Sequence, residues 1–505
     1  MGKYILSLDQ GTSSSRAILF NRAGEIVATV QKEFPQYYPQ PGWVEQNPFD
    51  IWNSQLEVAQ QVIQKARATA TDIHAIGITN QRETTLLWDK TTGLPVYPAI
   101  VWQDKRTAGF CEELKNEGWS NYVSENTGLV IDSYFSATKI HWILSHVKSA
   151  KERALNGDLL FGTVDTWLIW NLTKGKCHVT DFTNASRTLL FNITELEWDT
   201  DLLARMGVPK TLLPQVVASS EWVGSTHSSI FDGFEIPIAG IAGDQQAALF
   251  GQAGFDSGVA KNTYGTGCFI LMNTDTKKVV SLHGLLTTLT CGTRKDCPRY
   301  ALEGSVFIAG AAIKWLRDAL HLIADASETR AIAEQLENTQ GVYVVPAFTG
   351  LGAPYWDMTA RGAIFGLTLG ATDKHIVKAT LESLAYQSKD VLNAMEKDAG
   401  VAIKILNVDG GASANNYLMQ FQSDILNARV ERPSIIETTA LGAAFLAGLA
   451  TGFWEDENEL KQIRKLDCTF HPAMNDDTRQ HLYKGWQNAV KRILNWDATN
   501  DNLER

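Results

Sequence analysis

Residue types that can bind phosphate lie near the start of the chain, in the segment Asp9-Gln-Gly-Thr-Ser-Ser-Ser-Arg16. Two apolar, β-prone runs, residues 4–8 and 17–20, flank this polar segment. The pattern predicts a hairpin whose first strand ends at a carboxylate. The hydroxyl and N–H groups of a glycine-containing tip can converge on one concavity, and such a tip suits phosphate oxygens.

The carboxylate of Asp9 indicates a cation. A carboxylate beside a phosphate site would repel the phosphate unless a positive charge lies between them, and Mg²⁺ is commonly held in this way, partly through water. Taken alone, the segment is also compatible with an ordinary polar turn that has an acid at the strand end.

Polar residues follow two further apolar runs. Residues 73–79 lead directly into Asn80-Gln-Arg-Glu-Thr84, and residues 236–242 lead into Gly243-Asp-Gln245. Polar groups crowded between apolar strands are costly to bury without partners. Arg82 and Glu83 therefore form either a structural ion pair or a donor and acceptor for a polyhydroxy ligand.

The second half of the chain repeats the opening pattern. Residues 261–272 contain a Gly/Thr turn that leads into a strand, and residues 405–411 form an apolar strand that ends in Asp-Gly-Gly. A domain boundary is expected near residue 250, between two similar α/β domains that face one cleft. Ligands of open α/β sheets bind at the carboxyl ends of the strands.

Composition narrows the class of protein. A chain of 505 residues is too long for one core. Its net charge of −11 argues against a nucleic-acid or anionic-membrane binder. The six scattered cysteines contain no C-x-x-C pair, and no signal peptide or membrane span is evident, which favours a cytoplasmic protein. There is no P-loop, dinucleotide fingerprint or protein-kinase motif set.

Five motifs, taken together and in order, resemble the FGGY carbohydrate kinases. They are residues 9–16, 77–85, 243–248, 262–267 and 408–411. The resemblance implies an α/β fold of two actin-like (ribonuclease H-like) ATPase domains, residues 1–250 and 251–505, with a central interdomain cleft. The segment Asn80–Gln–Arg–Glu–Thr–Thr85 is similar to the branch of the family that acts on glycerol.

The resemblance implies specific roles at the matching positions. Asp244 would be the general base, and Asp9 would organise Mg²⁺. Glycerol would be bound by the following residues, which include the base: Arg82, Glu83, Trp102, Tyr134, Asp244, Gln245 and Phe269. ATP or ADP would be bound from both domains by Thr12, Ser13, Ser14, Arg16, Thr266, Gly310, Lys314, Gly411 and Asn415. Lys314 departs from many relatives, which carry Gln at that position.

The implied activity is ATP-dependent phosphorylation of glycerol to sn-glycerol 3-phosphate, the first step of glycerol catabolism. A homodimer or homotetramer is expected, without nucleic acid or stable membrane association. One alternative is an FGGY kinase for another small polyol, such as erythritol. The other is a non-catalytic, actin-like ATPase module, which would share the phosphate hairpins but would not require Arg82, Glu83 and Asp244 together.

Overall fold

The computed structural model describes residues 2–496 and shows an α/β protein with two large mixed sheets. The first half of the chain contributes strands β1 (Tyr4–Gln10), β2 (Ser14–Phe20), β3 (Ile26–Glu33), β4 (Glu45–Gln46), β5 (Ile73–Asn80), β6 (Leu86–Asp89), β7 (Ala99–Ile100), β8 (Leu159–Gly162), β9 (Val179–Asp181), β10 (Phe191–Asn192), β11 (Glu197–Trp198), β12 (Gln215–Val217), β13 (Ser220–Ser225) and β14 (Pro237–Gly243). The second half contributes β15 (Ala260–Tyr264), β16 (Cys268–Asp275), β17 (Leu286–Leu289), β18 (Tyr300–Val306), β19 (Tyr343–Val345), β20 (Ala363–Phe365), β21 (Ile405–Asp409), β22 (Arg429–Pro433) and β23 (Leu466–Phe470).

Helices cover the sheets. Those before the middle of the chain are α1 (Pro48–Lys65), α2 (Ala108–Asn116), α3 (Ser120–Thr127), α4 (Ser136–His146), α5 (Ala150–Leu155), α6 (Val164–Leu172), α7 (Phe182–Ala185), α8 (Thr200–Met206) and α9 (Asp244–Gly251). Those after it are α10 (Gly310–Asp318), α11 (Glu328–Gln335), α12 (Asp373–Ala399), α13 (Asn416–Leu426), α14 (Thr438–Ala450), α15 (Glu457–Ile463) and α16 (Asp476–Lys491).

The first sheet has the strand order β13-β14-β5-β1-β2-β3. The predicted hairpin is confirmed, since β1 and β2 pair antiparallel, while β1, β5 and β14 run parallel to one another. The carboxyl ends of these three parallel strands therefore share one edge of the sheet. Trp222 is exposed on the edge strand β13.

The second sheet has the order β17-β18-β16-β15-β21-β22-β23 and repeats the opening arrangement. Strands β15 and β16 form an antiparallel hairpin, and β21 runs parallel to β15. The two-domain α/β architecture expected from the sequence is thus observed, with a comparable hairpin and parallel strand in each domain.

Helix α14 comes from the second half of the chain but packs beneath the first sheet, against α9, β5 and β14. Small residues permit this contact, because a Cβ at Gly442 would overlap the carbonyl oxygen of Ala247, and a Cβ at Gly77 would overlap that of Ala443. The segment is rich in Gly and Ala, which is the composition that such close helix packing requires. Within residues 2–496, no helix is both long and apolar enough to span a bilayer.

Local sequence signals explain where two of the helices begin or end. Helix α1 begins where the side chain of Asn47 accepts a hydrogen bond from Phe49 N, with Pro48 in the first turn. The long helix α12 ends at Gly400, which has a φ of 68° and so adopts the left-handed conformation that glycine accepts without strain.

Candidate active site

Three chain segments meet at the shared strand edge of the first sheet. In register, Asp9 of β1 lies beside Thr79 of β5, and Gly243 of β14 lies beside Asn80 of β5. The residue after Gly243 is Asp244, which begins α9. Adjacent parallel strands therefore deliver the predicted metal carboxylate, the predicted base and the Asn80–Thr85 segment to one place.

The tip of the β1–β2 hairpin is held from several directions. Gly11 N donates to Ser14 O over 3.0 Å, which closes the turn. The carbonyl oxygen of Thr12 accepts hydrogen bonds from the side-chain amides of Gln46 and Gln36, over 2.6 and 3.0 Å. Trp102 Nε1 donates to Thr12 Oγ1 over 3.0 Å. Protein hydrogen bonds thus hold the tip, and Trp102, predicted to bind glycerol, contacts Thr12, predicted to bind phosphate.

The two carboxylates at this edge interact. Burial raises the pKa of Asp9 to about 6, the charge of Arg16 opposes that rise, and the charge of Asp244 adds to it. Asp244 remains about a third exposed, with 34% of its side chain accessible. Arg16 beside Asp9 is also paired with Glu437, and Arg82 beside Asp244 is also paired with Glu303, so the two acids keep excess negative charge, which favours a cation there. Among residues 2–496 no three His, Cys, Asp or Glu side chains form a metal cluster.

Arg82 and Glu83 are both buried, and each has an ionic partner. Glu83 has a φ of 62°, an uncommon backbone conformation for a residue other than glycine. Its carbonyl oxygen is held by Thr85 Oγ1 and Ser136 Oγ, both over 3.0 Å. Strained backbone of this kind is found at functional sites, where the surroundings enforce it. Arg82 Nε lies 3.3 Å from Asp244 Oδ1, so the arginine contacts the predicted base directly.

The second domain contributes a buried carboxylate to the same cluster. Glu303 of β18 accepts from Arg82 Nη1 over 2.7 Å and from Arg82 Nη2 over 2.9 Å. It also accepts from Arg187 Nη2 over 3.1 Å, and Arg187 Nε donates to Glu83 Oε1 over 2.6 Å. Burial raises the pKa of Glu83, and the charges of Arg187 and Arg82 oppose that rise. The four side chains form an ion-pair network that joins the two domains.

A second interdomain contact orients Gln245. Its amide Nε2 donates to Asp244 Oδ2 over 3.1 Å, and its backbone N donates to Asp244 Oδ1 over 2.7 Å. Its Oε1 accepts from Lys261 Nζ, which also donates to Thr263 Oγ1 over 3.0 Å. Burial lowers the pKa of Lys261 to about 8, against the opposing charges of Asp409 and Asp244. The predicted base thus accepts hydrogen bonds from an amide that the second domain fixes.

Aromatic side chains border the polar cluster. The rings of Trp102 and Tyr134 meet edge to face with centroids 5.5 Å apart. The guanidinium of Arg187 lies 5.6 Å from the Tyr134 ring. Burial raises the pKa of Tyr134 well above its ordinary value, so its hydroxyl remains a donor at neutral pH. Phe269 of β16 lies in register between Thr263 and Ser305, two rungs from Lys261 and Glu303.

The predicted nucleotide residues of the second domain lie around the β15–β16 tip and the β21–α13 turn. Gly310 N donates to Gly265 O over 3.0 Å, and Ala311 N donates to Thr266 O over 3.1 Å. A Cβ at Gly310 would approach Gly265 O to 2.6 Å, so glycine permits the start of α10 to pack on the tip. Lys314 lies exposed one turn further along α10.

The two glycines that follow β21, Gly410 and Gly411, have different surroundings. Gly410 has a φ of 82°, and a side chain there would overlap Tyr264 O. A Cβ at Gly411 would meet no atom within 4 Å, which leaves open space beside the backbone. The side chain of Asn415 already has protein partners, because Oδ1 accepts from Leu418 N and Nδ2 donates to Thr329 Oγ1, both over 3.1 Å.

An ion pair between Arg16 Nη1 and Glu437 Oε2 joins the phosphate hairpin to the start of α14. Asp409 is buried and turned toward the domain interface, where it accepts from Gln252 Nε2 over 2.8 Å and from Thr438 Oγ1. The predicted phosphate, metal and base residues of the first domain therefore lie together, beside elements of the second domain.

Sequence reasoning missed three buried ionic residues, namely Arg187, Lys261 and Glu303. For Lys261 and Glu303 the available signal was a charged residue inside a strand. Lys261 lies in β15 and Glu303 in β18, and both side chains are fully buried. Charged residues are almost never fully buried without a partner. Such a residue indicates an ionic partner but does not identify it, because the partner lies more than 200 positions away in the case of Glu303 and Arg82.

Comparisons with known proteins agree with this architecture. Residues 4–251 match the N-terminal domain, and residues 260–451 the C-terminal domain, of the FGGY family of carbohydrate kinases. The chain is 60% identical over 497 residues to a protein named glycerol kinase from Alkaliphilus metalliredigens, covering 98% of this chain and 99% of that relative. A crystal structure of Plasmodium falciparum glycerol kinase with ADP is 40% identical, with a TM-score of 0.93 over 97% of this chain and 98% of the other. A xylulose kinase from Lactobacillus acidophilus, 23% identical with a TM-score of 0.87 over 98% of each chain, shares the fold.

Proposed function

Because the chain belongs to the FGGY family of carbohydrate kinases, we propose that it transfers the terminal phosphoryl group of ATP to glycerol, forming sn-glycerol 3-phosphate and ADP. The observation that carries this proposal is the meeting of Arg82, Glu83 and Asp244 beside the Thr12 hairpin tip. A non-catalytic ATPase module has no use for such a cluster. The 60% identity to relatives named glycerol kinase supports glycerol as the acceptor.

Glycerol offers three hydroxyls and little apolar area, so hydrogen bonds must provide most of its recognition. Arg82 and Tyr134 are donors, Glu83 is an acceptor, and the Gln245 amide has both kinds of group. Trp102 and Phe269 supply apolar surface for the carbon skeleton. A ligand that lacks one hydroxyl leaves a buried polar group unpaired and is penalised strongly.

Asp244 is the general base in this proposal. It accepts the proton of the terminal hydroxyl while that oxygen forms a bond to the γ-phosphorus, and the bond from phosphorus to the bridging oxygen of ADP breaks. General base catalysis contributes roughly 10²–10⁴ in rate. The partial exposure of Asp244 gives it access to a ligand, and Arg82 and Gln245 fix its direction.

Phosphoryl transfer depends mainly on positioning and on charge stabilisation. Thr12, Ser13, Ser14 and Arg16 would hold the phosphates from the first domain, and Thr266 and Gly310 from the second. The open space beside Gly411 would receive the nucleoside. Asn415 would contact the nucleoside through its backbone or through the polar atoms of its side chain, which also caps α13. Lys314 would lie near the phosphates.

Asp9 fits a Mg²⁺ site. Burial and the charge of Asp244 raise the pKa of its carboxyl, so the ionised form is unfavourable without a counter-charge. A divalent cation would neutralise the negative charge of the two acids. A single carboxylate suits Mg²⁺ that keeps its waters and binds substrate phosphates. When bound, the ion would neutralise charge on the phosphate oxygens.

A coupled assay of ADP release tests the proposal, with glycerol, dihydroxyacetone, erythritol and xylulose in parallel. The expected result is the highest kcat/KM with glycerol and a requirement for Mg²⁺. Preference for erythritol or xylulose would assign the chain to a different polyol. ADP release that is independent of all four acceptors would point to an ATPase module.

The remaining properties of the proposed enzyme concern its organisation. We place the boundary between its domains near residue 250, with α14 returning to the first domain. The enzyme is proposed to act in the cytoplasm as a homodimer or homotetramer on its small-molecule substrates. Light scattering measures the oligomeric state directly.

A further inference from the structure

Glu303 is a buried carboxylate in the second domain whose side-chain hydrogen bonds, within residues 2–496, all come from residues of the first domain. It lies in the middle of β18, and its side chain is fully buried. Its two oxygens accept the three hydrogen bonds from Arg82 and Arg187, at 2.7–3.1 Å. An internal strand position normally carries an apolar residue, so this glutamate needs a specific explanation.

The contact with Arg82 is bidentate, a geometry that fixes the plane of a guanidinium as well as its distance. Burial alone would raise the pKa of Glu303, but the charges of Arg187 and Arg82 lower it to about 2. The carboxylate therefore stays ionised throughout the physiological range. Arg82 and Arg187 with Glu83 and Glu303 make two positive and two negative charges, and the network is neutral as a whole.

The donors of Arg82 can be counted. A guanidinium has five N–H groups. Glu303 accepts one from Nη1 and one from Nη2, Gln246 Oε1 accepts the other from Nη1 over 3.1 Å, and Nε faces Asp244. Among the residues that the structure describes, the second N–H of Nη2 has no acceptor. Its direction is set by the plane in which Glu303 holds the guanidinium.

Glu83 is constrained through the same carboxylate. Arg187 joins Glu303 to Glu83 Oε1, which leaves Glu83 Oε2 outside the hydrogen bonds formed within residues 2–496. Glu303 of the second domain thus orients both the remaining N–H of Arg82 Nη2 and, through Arg187, the carboxylate oxygen Oε2 of Glu83.

We propose that Glu303 is a positioning residue for the polyol. By holding Arg82 and Arg187, it fixes the donor and the acceptor that bind two substrate hydroxyls, so this site is complete only when the second domain is docked. The inference rests on the proposed polyol kinase activity, and it adds that glycerol affinity and specificity depend on a residue that lies outside the recognised motifs.

The first test is Glu303→Gln, which keeps the side-chain size and removes the charge. The KM for glycerol is expected to rise tenfold or more, while the KM for ATP stays within twofold of the wild-type value. The preference for glycerol over 1,2-propanediol and 1,3-propanediol is expected to fall, because a misaligned Arg82 no longer requires its hydroxyl. A purely structural role would change protein stability and both KM values together.

Asp390→Asn is the matched control. Asp390 is also a buried carboxylate of the second domain, but it accepts hydrogen bonds from Tyr483 and Trp486 of α16. Its replacement is expected to lower thermal stability without separating the two KM values. If it separates them as Glu303→Gln does, the split reports general destabilisation and the inference is wrong.

Arg187→Lys is the second variant, and it decides the question if Glu303→Gln does not fold. Lysine keeps the charge but cannot bridge Glu83 and Glu303, so the same selective rise in glycerol KM is expected. A glycerol KM within twofold of wild type in each folded variant would overturn the inference while leaving the proposed function intact. A wild-type enzyme inactive on glycerol would instead refute the proposed function.

Discussion

Replacement of Asp244 by Asn tests the chemical step. The new side chain has the same shape, and its oxygen can still accept the 2.7 Å hydrogen bond from Gln245 N. Its amide nitrogen, however, would replace the Oδ2 that accepts from Gln245 Nε2 over 3.1 Å. Gln245 cannot simply turn over, because Lys261 donates to its Oε1. The substitution thus weakens one hydrogen bond to Gln245, but its principal effect is the loss of a carboxylate that can take a proton.

The expected changes in glycerol KM and in kcat follow from which contacts of the site Asp244→Asn leaves in place. Arg82 loses its 3.3 Å approach to Asp244 but keeps the bidentate pair with Glu303, so the glycerol site should remain assembled. The KM for glycerol is thus expected to change only a few-fold, about 1 kcal/mol or less. The loss of a general base should lower kcat by about 10²–10⁴, equivalent to roughly 3–5 kcal/mol in the barrier.

The assay measures kcat and both KM values by coupled ADP release, with nucleotide binding followed separately by calorimetry. Asp390→Asn serves again as a control for changes at a buried acid. A kcat within tenfold of wild type would refute the assignment of Asp244 as the base. A large rise in glycerol KM at unchanged kcat would instead make Asp244 a binding residue.

Three further substitutions examine other parts of the molecule. Gly411→Trp should raise the KM for ATP about tenfold or more while that for glycerol changes little, because a Cβ at this position meets no protein atom within 4 Å and the side chain beyond it would occupy the space assigned to the nucleoside; unchanged ATP affinity would contradict the placement of the nucleoside. Gly442→Ala should lower the free energy of unfolding in urea by about 2 kcal/mol or more, because its methyl group would overlap Ala247 O; wild-type stability would show that α9 and α14 can separate freely. Burial raises the pKa of Glu382 to about 7, although Tyr417 opposes the rise by donating to it. Because the folded protein binds this proton more tightly than the unfolded chain, the stability that Glu382 contributes is present at low pH and is lost as the pH rises through about 7. Glu382→Gln should therefore be more stable than wild type at pH 9, by up to about 3 kcal/mol in the free energy of unfolding. At pH 5 it should not be more stable than wild type. Urea unfolding at both pH values measures this difference, and a pH-independent difference would contradict it.

The parts of the fold that could be predicted from sequence are those that local chemistry determines. The β1–β2 hairpin follows from two apolar runs around a polar tip, and α1 follows from Asn47 and Pro48 ahead of an apolar stripe. Strands β5 and β14 were recognisable because each apolar run stops at a polar cluster. Local patterns of this kind carry over to the structure because the backbone must satisfy the same hydrogen bonds in any context.

The ionic partners could not be predicted, since their pairing depends on how the two sheets face each other. Nothing near Glu303 indicates Arg82, and nothing near Arg82 decides between a structural ion pair and a ligand donor. The structure shows that Arg82 forms ion pairs and still retains one donor. Asn415 illustrates the converse case, because a residue expected at the nucleotide also caps α13, and a helix N-cap is a common use of asparagine.

The buried ion pairs make the position of the second sheet relative to the first energetically important. A buried charge pair contributes favourably only when its geometry is good, and a displaced partner leaves an uncompensated charge. The ion pairs of Glu303 with Arg82 and Arg187 therefore depend on where β18 lies relative to the first sheet. Helix α14 is a separate link between the two halves of the chain, because it packs against β5 and α9 with no side chain between the backbones at Gly77 and Gly442, and close-packed interiors resist small displacements. Close packing at α14 and ion pairs at β18 thus join the two halves of the chain in different ways.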